Sequence, residues 1–241
     1  MKNQTHYSLS VIVPCYNEEN NIIETLNEIS LSMDIPIIKE YEILVIDDAS
    51  TDKSNNLVKN YKKNNLNIKL HKNKINIGLG GAIKRGFELC SKDYVIYIPG
   101  DNCHKSSEIK KMIKLIGKYD VILTYYSNPQ VRTFFRKFFT KLYTPFLNFI
   151  FNLNLPYYNG LCLYKSTLIK NINIETNSFT WQIELLLKLF KSTSIKHTLV
   201  ATKLDDRNLG QSKAFNLKNS LLVVYSIFKL FVLQFFISKK K

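Results

Sequence analysis

The sequence predicts an α/β domain built on a mostly parallel, doubly wound sheet. Three observations lead there. Short apolar runs alternate with stretches of helical periodicity through the first half of the chain. Those runs are apolar almost throughout, as strands covered on both faces must be. The 241 residues suffice for one such domain with a short appendage and a real hydrophobic core.

In order, SLSVIVPCY reads as a strand, and EENNIIETLNEISL as a helix with Ile22, Leu26 and Ile29 on one face. YEILVIDDAS is a second strand that ends on two aspartates, and TDKSNNLVKNYKKN is a helix that Asp52 can cap. NIKLHKN is a weak third strand. GLGGAIKRGFELC opens on glycines and becomes helical, with Ile83 and Phe87 four apart. DYVIYIPGDN is a fourth strand, and SSEIKKMIKLIGK a helix with Ile109, Met112, Ile113 and Ile116 facing inward. DVILTYY is a fifth strand. Beyond it, VRTFFRKFFTKLYTPFLNFIFNLNL is long, aromatic and basic. YYNGLCLYKSTLI is a strand entering a helix, SFTWQIELLLKLFK a helix with Trp181, Leu185 and Leu189 four apart, and IKHTLVATKLDDRNLGQSKAFN a strand followed by a polar loop.

In open sheets of this kind, ligands bind beyond the carboxyl ends of the strands. That rule selects PCYNE, DDAS and PGDN as rims of one crevice. Asp47 and Asp48 repel unless a cation or donors compensate; they can face the base and ribose hydroxyls of a nucleotide, or hold a turn. Glycines 78, 80 and 81 match neither the P-loop nor the dinucleotide fingerprint, since Ile83 stands where the latter needs glycine. They suit close backbone approach at a helix N-terminus, where N–H groups can meet an anion. Asp101 follows an apolar strand and a glycine, and a hard oxygen there suits Mg2+ or Mn2+. Its alternative duty, capping the next helix, already falls to Ser106 or Ser107.

The net charge of +15 implies an anionic partner or a drift toward lysine. Four cysteines without a CxxC pair suggest neither a zinc site nor a disulfide framework, and the N-terminal apolar run is too short for a signal peptide, so a reduced cytosolic setting is expected. Arg132, Arg136, Lys137 and Lys141 punctuate phenylalanines, which fits a helix lying on a membrane surface or packed on the core. Nucleic acid is not an expected partner: no recognition fold is present and the aromatics lie on a helix rather than a stacking sheet. Arg207 and Lys213 flank a glycine in a polar loop that can close over an anion. The apolar run from Leu221 to Ile237, broken by Lys229 and Gln234, would be about 25 Å long as a helix, marginal for a bilayer core of about 30 Å. It reads first as an interfacial helix, then as a short span, then as a packed helix. The expected division is a domain over 1–217 and a hydrophobic, membrane-associating helix over 218–241.

Six stretches in order resemble glycosyltransferase family 2, and within it the dolichol/polyprenyl-phosphate mannose synthase type: SVIVPCYNEENNI, EILVIDDASTDKS, NIGLGGAIKRGFE, YNGLCLYK, SFTWQIELLLKL with Glu184, and RNLGQSK. The resemblance spans roughly residues 8–215. It implies an A-type glycosyltransferase fold (Rossmann-like), a UDP- or GDP-sugar donor, a divalent cation (Mg2+ or Mn2+) and inversion at the anomeric carbon. By position, Pro14, Tyr16, Glu18, Asp47, Asp48, Gly80 and Lys84 would bind the donor. Asp101 would be the metal-bound member of the family's D-x-D. Arg132 and Arg136 would meet the acceptor phosphate, and Arg207 and Lys213 would join Asp101 in catalysis. One stretch departs: where the synthases read D-A-D-L-Q-H, this chain has Pro99-Gly100-Asp101-Asn102-Cys103-His104. A weaker metal site and a different grip on the ribose are expected.

The implied reaction moves a sugar from the nucleotide donor to a polyprenyl phosphate at the cytosolic face of the membrane, with the protein peripheral or anchored by its C-terminal helix. Self-association into a homo-oligomer is left open. Two other readings stand beside it. One is transfer to a sugar hydroxyl in surface-polysaccharide assembly, with Glu184 or Asp205 as base. The other is a nucleotide-sugar-binding module that has lost catalysis, which Pro99 favours.

Overall fold

A computed structural model describes residues 6–128, 134–170, 172–192 and 194–205. Arg132, Arg207, Lys213 and the apolar run from Leu221 to Ile237 lie outside the described residues, as does the side chain of Arg136.

Seven strands form one sheet in the order β3-β2-β1-β4-β6-β5-β7. They are β1 (Tyr7–Cys15), β2 (Ile38–Asp47), β3 (Ile68–Lys72), β4 (Tyr94–Tyr97), β5 (Val121–Tyr126), β6 (Cys162–Lys165) and β7 (His197–Thr202). The helices are α1 (Ile22–Ser32), α2 (Ser54–Tyr61), α3 (Gly78–Leu89), α4 (Ser106–Ile113), α5 (Phe134–Phe151), α6 (Ser166–Ile169) and α7 (Trp181–Ser192). β1 pairs in parallel with β2 and β4, β2 with β3, and β5 with β7. β6 runs antiparallel to both β4 and β5. The chain leaves β5 at its carboxyl end and, after α5, re-enters the sheet from that same end, so β6 must run back.

The helical faces read from the sequence are the buried ones. Ile22, Leu26 and Ile29 of α1, Ile109, Met112 and Ile113 of α4, and Trp181, Leu185 and Leu189 of α7 all lie in the core beside Leu9, Val11, Ile12 and Val13 of β1. Each such side chain contributes about 1.5–3 kcal/mol of transfer free energy. One expected cap differs. Neither Ser106 nor Ser107 caps α4 through its side chain; the Ser106 N–H donates to the Glu28 carboxylate of α1 at 2.7 Å. A charge-assisted bond from a neighbouring helix replaces the local one and ties α4 to α1.

β2 also carries a buried carboxylate. Glu42 accepts from Ser10 Oγ (2.7 Å), from Ser91 N (2.8 Å) and Oγ (2.9 Å), and from Lys69 Nζ (2.7 Å). Burial pushes its pKa up, but the bonds from Lys69, Ser10 and Ser91 outweigh burial and hold it down at about 2, against an ordinary 4.5. A folded-state value below the unfolded one stabilises the protein above the unfolded pKa, and that contribution is lost as pH falls through the folded pKa. Lys69 is half exposed, which screens its share. Glu42→Gln is therefore expected to cost about 2–3 kcal/mol at neutral pH, with the gap to the wild type closing between about pH 4.5 and about pH 2. Urea unfolding of both proteins across that range checks this; a gap independent of pH would refute it.

Candidate active site

The loops at the carboxyl ends of β1, β2 and β4 meet at one edge of the sheet, where the crevice is expected. Gly100 N donates to the Pro14 carbonyl at 3.3 Å, and Cys15 pairs with Asp47 in register. A Cβ on Gly100 would lie 3.2 Å from Pro14 O and 3.3 Å from Ile22 Cδ1, so the turn before Asp101 closes tightly on β1 because this residue has no side chain. Each of the three loops holds a non-glycine residue at positive φ: Asn17 (52°), Ala49 (61°) and Asn102 (55°). Asparagine tolerates this conformation, whereas alanine does so at a cost of about 1–2 kcal/mol. Strain of this kind persists where surrounding contacts over-determine it, and it collects at functional sites.

Those contacts lace the first two loops together. Asn17 N donates to Ser50 Oγ at 3.0 Å, and Thr51 N to Asn17 Oδ1 at 2.8 Å. Glu18 N donates to Ser54 Oγ at 2.8 Å. Glu19 N donates to Asp52 Oδ2 at 3.0 Å while Lys53 N donates to Glu19 Oε2 at 2.9 Å. Glu18 is buried and its carboxylate accepts from Asn21 Nδ2 at 3.0 Å, which fixes the entry to α1. Tyr16 stands 36% exposed on the rim, whereas Pro14 ends inside β1.

The two adjacent aspartates divide their work. Asp47 is fully buried; Ser50 N donates to its Oδ1 at 2.9 Å and Asn55 Nδ2 to its Oδ2 at 2.6 Å. It holds the turn into α2. Asp48, 3% exposed, accepts from Asn73 Nδ2 (2.8 Å), Ile77 N (2.9 Å) and Gly78 N (2.9 Å). The N–H groups at the start of α3, expected to meet a ligand anion, thus meet Asp48. Gly80 N donates to Asn177 O at 3.0 Å, and a Cβ there would come within 2.7 Å of Asn177 C, so Gly80 serves close approach between α3 and the loop before α7. Lys84 Nζ reaches Glu175 O in that loop at 3.4 Å.

Asp101 follows the β4 strand end and is half-buried. Among the described residues its carboxylate takes one long hydrogen bond, from Cys103 N at 3.3 Å, and it does not cap α4. Next to it, Asn102 Oδ1 and His104 Nδ1 are buried without a partner. The sequence reading gave His104 no role. Its ring stacks on Tyr126 at 6.2 Å, and Tyr126 lies 5.3 Å from Tyr157, so an aromatic row lines this side. Burial holds the His104 imidazole below its usual range, although Asp101 and Asp205 both pull upward. Asp205 arrives from the chain after β7, where Asp205 N donates to Cys103 O at 3.0 Å, and where Asn128 bonds both the N–H (2.9 Å) and the C=O (2.8 Å) of Leu204. Cys15 and Cys162 offer no nucleophile here, since burial pushes their thiols up to about 12.

Among the described residues, no three His, Cys, Asp or Glu side chains form a ready metal cage. The donor chemistry at this rim nevertheless fits a hard divalent cation that keeps part of its shell for diphosphate oxygens: the Asp101 carboxylate is lightly used, and Asn102 Oδ1 beside it is an orphaned oxygen.

A mostly parallel seven-stranded sheet with this acidic crevice at its carboxyl edge is the A-type glycosyltransferase fold. The chain belongs to glycosyltransferase family 2, whose model (Glycosyl transferase family 2) matches residues 10–172. Dolichyl-phosphate beta-glucosyltransferase from Dictyostelium discoideum is 38% identical over 122 residues, covering 46% of this chain and 36% of that protein. Undecaprenyl-phosphate 4-deoxy-4-formamido-L-arabinose transferase from Pseudomonas fluorescens is 30% identical over 141 residues, 56% of this chain and 40% of that protein. The chain therefore spans less than half the length of these curated relatives. Among solved structures, glucosyl-3-phosphoglycerate synthase from Mycobacterium tuberculosis, in complex with Mn2+, UDP-glucose and phosphoglyceric acid, superposes with a TM-score of 0.63 at 19% identity, over 85% of this chain and 73% of that one. A mannosyltransferase from Pyrobaculum calidifontis in complex with GDP-Man and Mn2+ gives 0.59 at 14% identity, over 86% of this chain and 59% of that one.

Proposed function

We propose that this protein transfers one sugar, with inversion, from a UDP- or GDP-sugar to a polyprenyl phosphate at the cytosolic membrane face. The observation that carries the reading is the Asp101 rim: a lightly bonded carboxylate at the carboxyl edge of a family 2 sheet, beside Asp205 and the aromatic row. The names of the curated relatives support the acceptor, and the ligands of the two solved neighbours support a nucleotide-sugar with Mn2+.

The chemistry agrees with the side chains present. A phosphate monoester is ionised at neutral pH and needs no base. One of its oxygens attacks the anomeric carbon as the bond from that carbon to the nucleoside diphosphate breaks and the electron pair leaves with the diphosphate. The protein must position the two anions and offset their repulsion. Asp101 would hold Mg2+ or Mn2+, which supplies neutralising charge to the departing diphosphate. Tyr16 lies open to the donor. Asp47, Asp48, Glu18 and Gly80 act by fixing the loops that receive it, with Pro14 and Lys84 at their edges. Arg132, Arg136, Arg207 and Lys213 are assigned to the phosphates of acceptor and donor. Tyr126 and Tyr157 offer apolar faces on which a sugar ring can rest.

Phe146 and Phe149 of α5, 53% and 88% exposed, support docking on a membrane surface. Among the described residues no helix is long and apolar enough to cross a membrane.

Asp205, pinned beside the Asp101 turn, favours a second reading in which it serves as base for a sugar-hydroxyl acceptor. Labelled UDP- and GDP-sugars with Mn2+, offered undecaprenyl phosphate and soluble glycans in parallel, separate the cases. We expect label in an acid-labile, lipid-extractable product. Label only in glycan would establish the second reading, and no transfer from any donor would establish a binding module.

A further inference from the structure

A cavity of about 590 Å3 opens at the opposite end of the sheet from the crevice. It is bounded by the start of β1, β4, β5 and β7 and the end of β6. Five lysines line it (Lys92, Lys118, Lys165, Lys170 and Lys196), against two aspartates, Asp93 and Asp120. Both aspartates are already engaged. Asp93 Oδ2 accepts from Ser8 N at 2.9 Å and Ser8 Oγ at 2.8 Å. Asp120 Oδ2 accepts from Lys196 N at 3.1 Å, and its Oδ1 lies 3.9 Å from Lys165 Nζ. Lys92 pairs with Glu40 at 2.9 Å. Lys118 and Lys170 have no carboxylate partner among the described residues. Lys196 Nζ lies 5.4 Å from the centre of the Tyr119 ring, which leaves the charge of Lys118 and Lys170 for a bound anion to balance. A second observation is independent of charge: Ser166, 2% exposed, lines the cavity, and among the described residues its Oγ has no hydrogen-bond partner. A buried hydroxyl left unsatisfied is a cost that a ligand oxygen removes.

We infer that this cavity is a second anion site, separate from the donor crevice, which takes a phosphate-bearing group. The lining contains lysine and no arginine, and lysine binds a phosphate as a point charge. Its size fits a head group or a small phosphate ester. Tyr7, Tyr94 and Tyr119 supply aromatic wall. The same chemistry can come from a soluble phosphate or from a phosphate head group in a lipid surface, and the test separates them.

Lys118 and Lys170 are exposed, so Lys118→Glu/Lys170→Glu leaves the core untouched. Pyrophosphate binding to the full chain is measured calorimetrically in EDTA, which removes cation-bridged binding in the donor crevice. The double variant should bind at least about tenfold more weakly, with Asp101→Ala binding as the wild type does. Sedimentation with vesicles of phosphatidylcholine, with and without phosphatidic acid, forms the second arm. A lipid source predicts that phosphatidic acid increases wild-type binding, that the double variant loses the increase and that pyrophosphate competes. A soluble source predicts unchanged sedimentation alongside the calorimetric loss. Equal pyrophosphate affinity and equal vesicle binding in variant and wild type would overturn the site, as would loss of pyrophosphate binding in Asp101→Ala alone.

Discussion

Asp101→Ala is expected to lower sugar transfer by about 10^3-fold or more, roughly 4 kcal/mol of transition-state stabilisation, while thermal stability stays within about 1 kcal/mol of the wild type. The asymmetry follows from how little the fold asks of this side chain. Among the described residues its carboxylate accepts one long bond, 3.3 Å from Cys103 N, on a half-exposed turn, and such a bond is worth about 1 kcal/mol at most. The pyrophosphate of a nucleotide-sugar, by contrast, carries charge that grows as the bond to the sugar breaks. With proline and glycine at positions 99 and 100, Asp101 is the carboxylate of that segment available to anchor a compensating cation. Initial rates across a Mn2+ titration, alongside melting curves, test both halves. Retained turnover would remove Asp101 from the reaction, and a large drop in melting temperature would mean that the turn depends on it.

The sheet and its helices were legible in the sequence because each rests on local pattern. Ile22, Leu26 and Ile29 bury together because their spacing puts them on one helical face. The PCYNE, DDAS and PGDN turns come to one edge because they follow parallel strands. The direction of β6 was not legible: CLYK carries no mark of orientation, which is set by the return path after α5. The work of the individual polar residues was equally hidden. Asp48 looks like a ligand-facing carboxylate until Asn73, Ile77 and Gly78, distant by 25 residues or more, are seen donating to it. His104 and Asp205 lie about a hundred residues apart in sequence, and the bond from Asp205 N to Cys103 O brings them to one rim. The asparagines at 17 and 102, each just past a strand end, were the available hint of left-handed backbone.

Glu184 is the position where these readings diverge most in what they predict. As a base it would need an open, lightly bonded carboxylate facing an acceptor. It is 1% exposed; Oε1 accepts from Glu175 N at 2.8 Å and Lys188 Nζ at 2.6 Å, and Oε2 accepts from Thr176 N at 2.9 Å. It thereby pins the loop whose Asn177 carbonyl receives Gly80 N and so fixes the start of α3 beside Asp48. Glu184→Ala leaves two backbone N–H groups without their acceptor and takes from Lys188 one of its two, the Asn173 carbonyl at 2.7 Å remaining; the cost is about 3 kcal/mol, or roughly 6–12 °C in melting temperature for a chain of this size. Glu184→Gln keeps one carbonyl oxygen but turns an amide N–H2 toward donors, so it should lose about 1–3 kcal/mol as well. Both variants should keep transfer per folded molecule within about tenfold of the wild type at low temperature, because the charge on Glu184 plays no part in the bond changes. If Glu184→Gln instead melted as the wild type does and lost turnover by the about 10^2–10^4-fold typical of a missing base, the carboxylate would belong to the chemistry, and a hydroxyl acceptor would replace the phosphate.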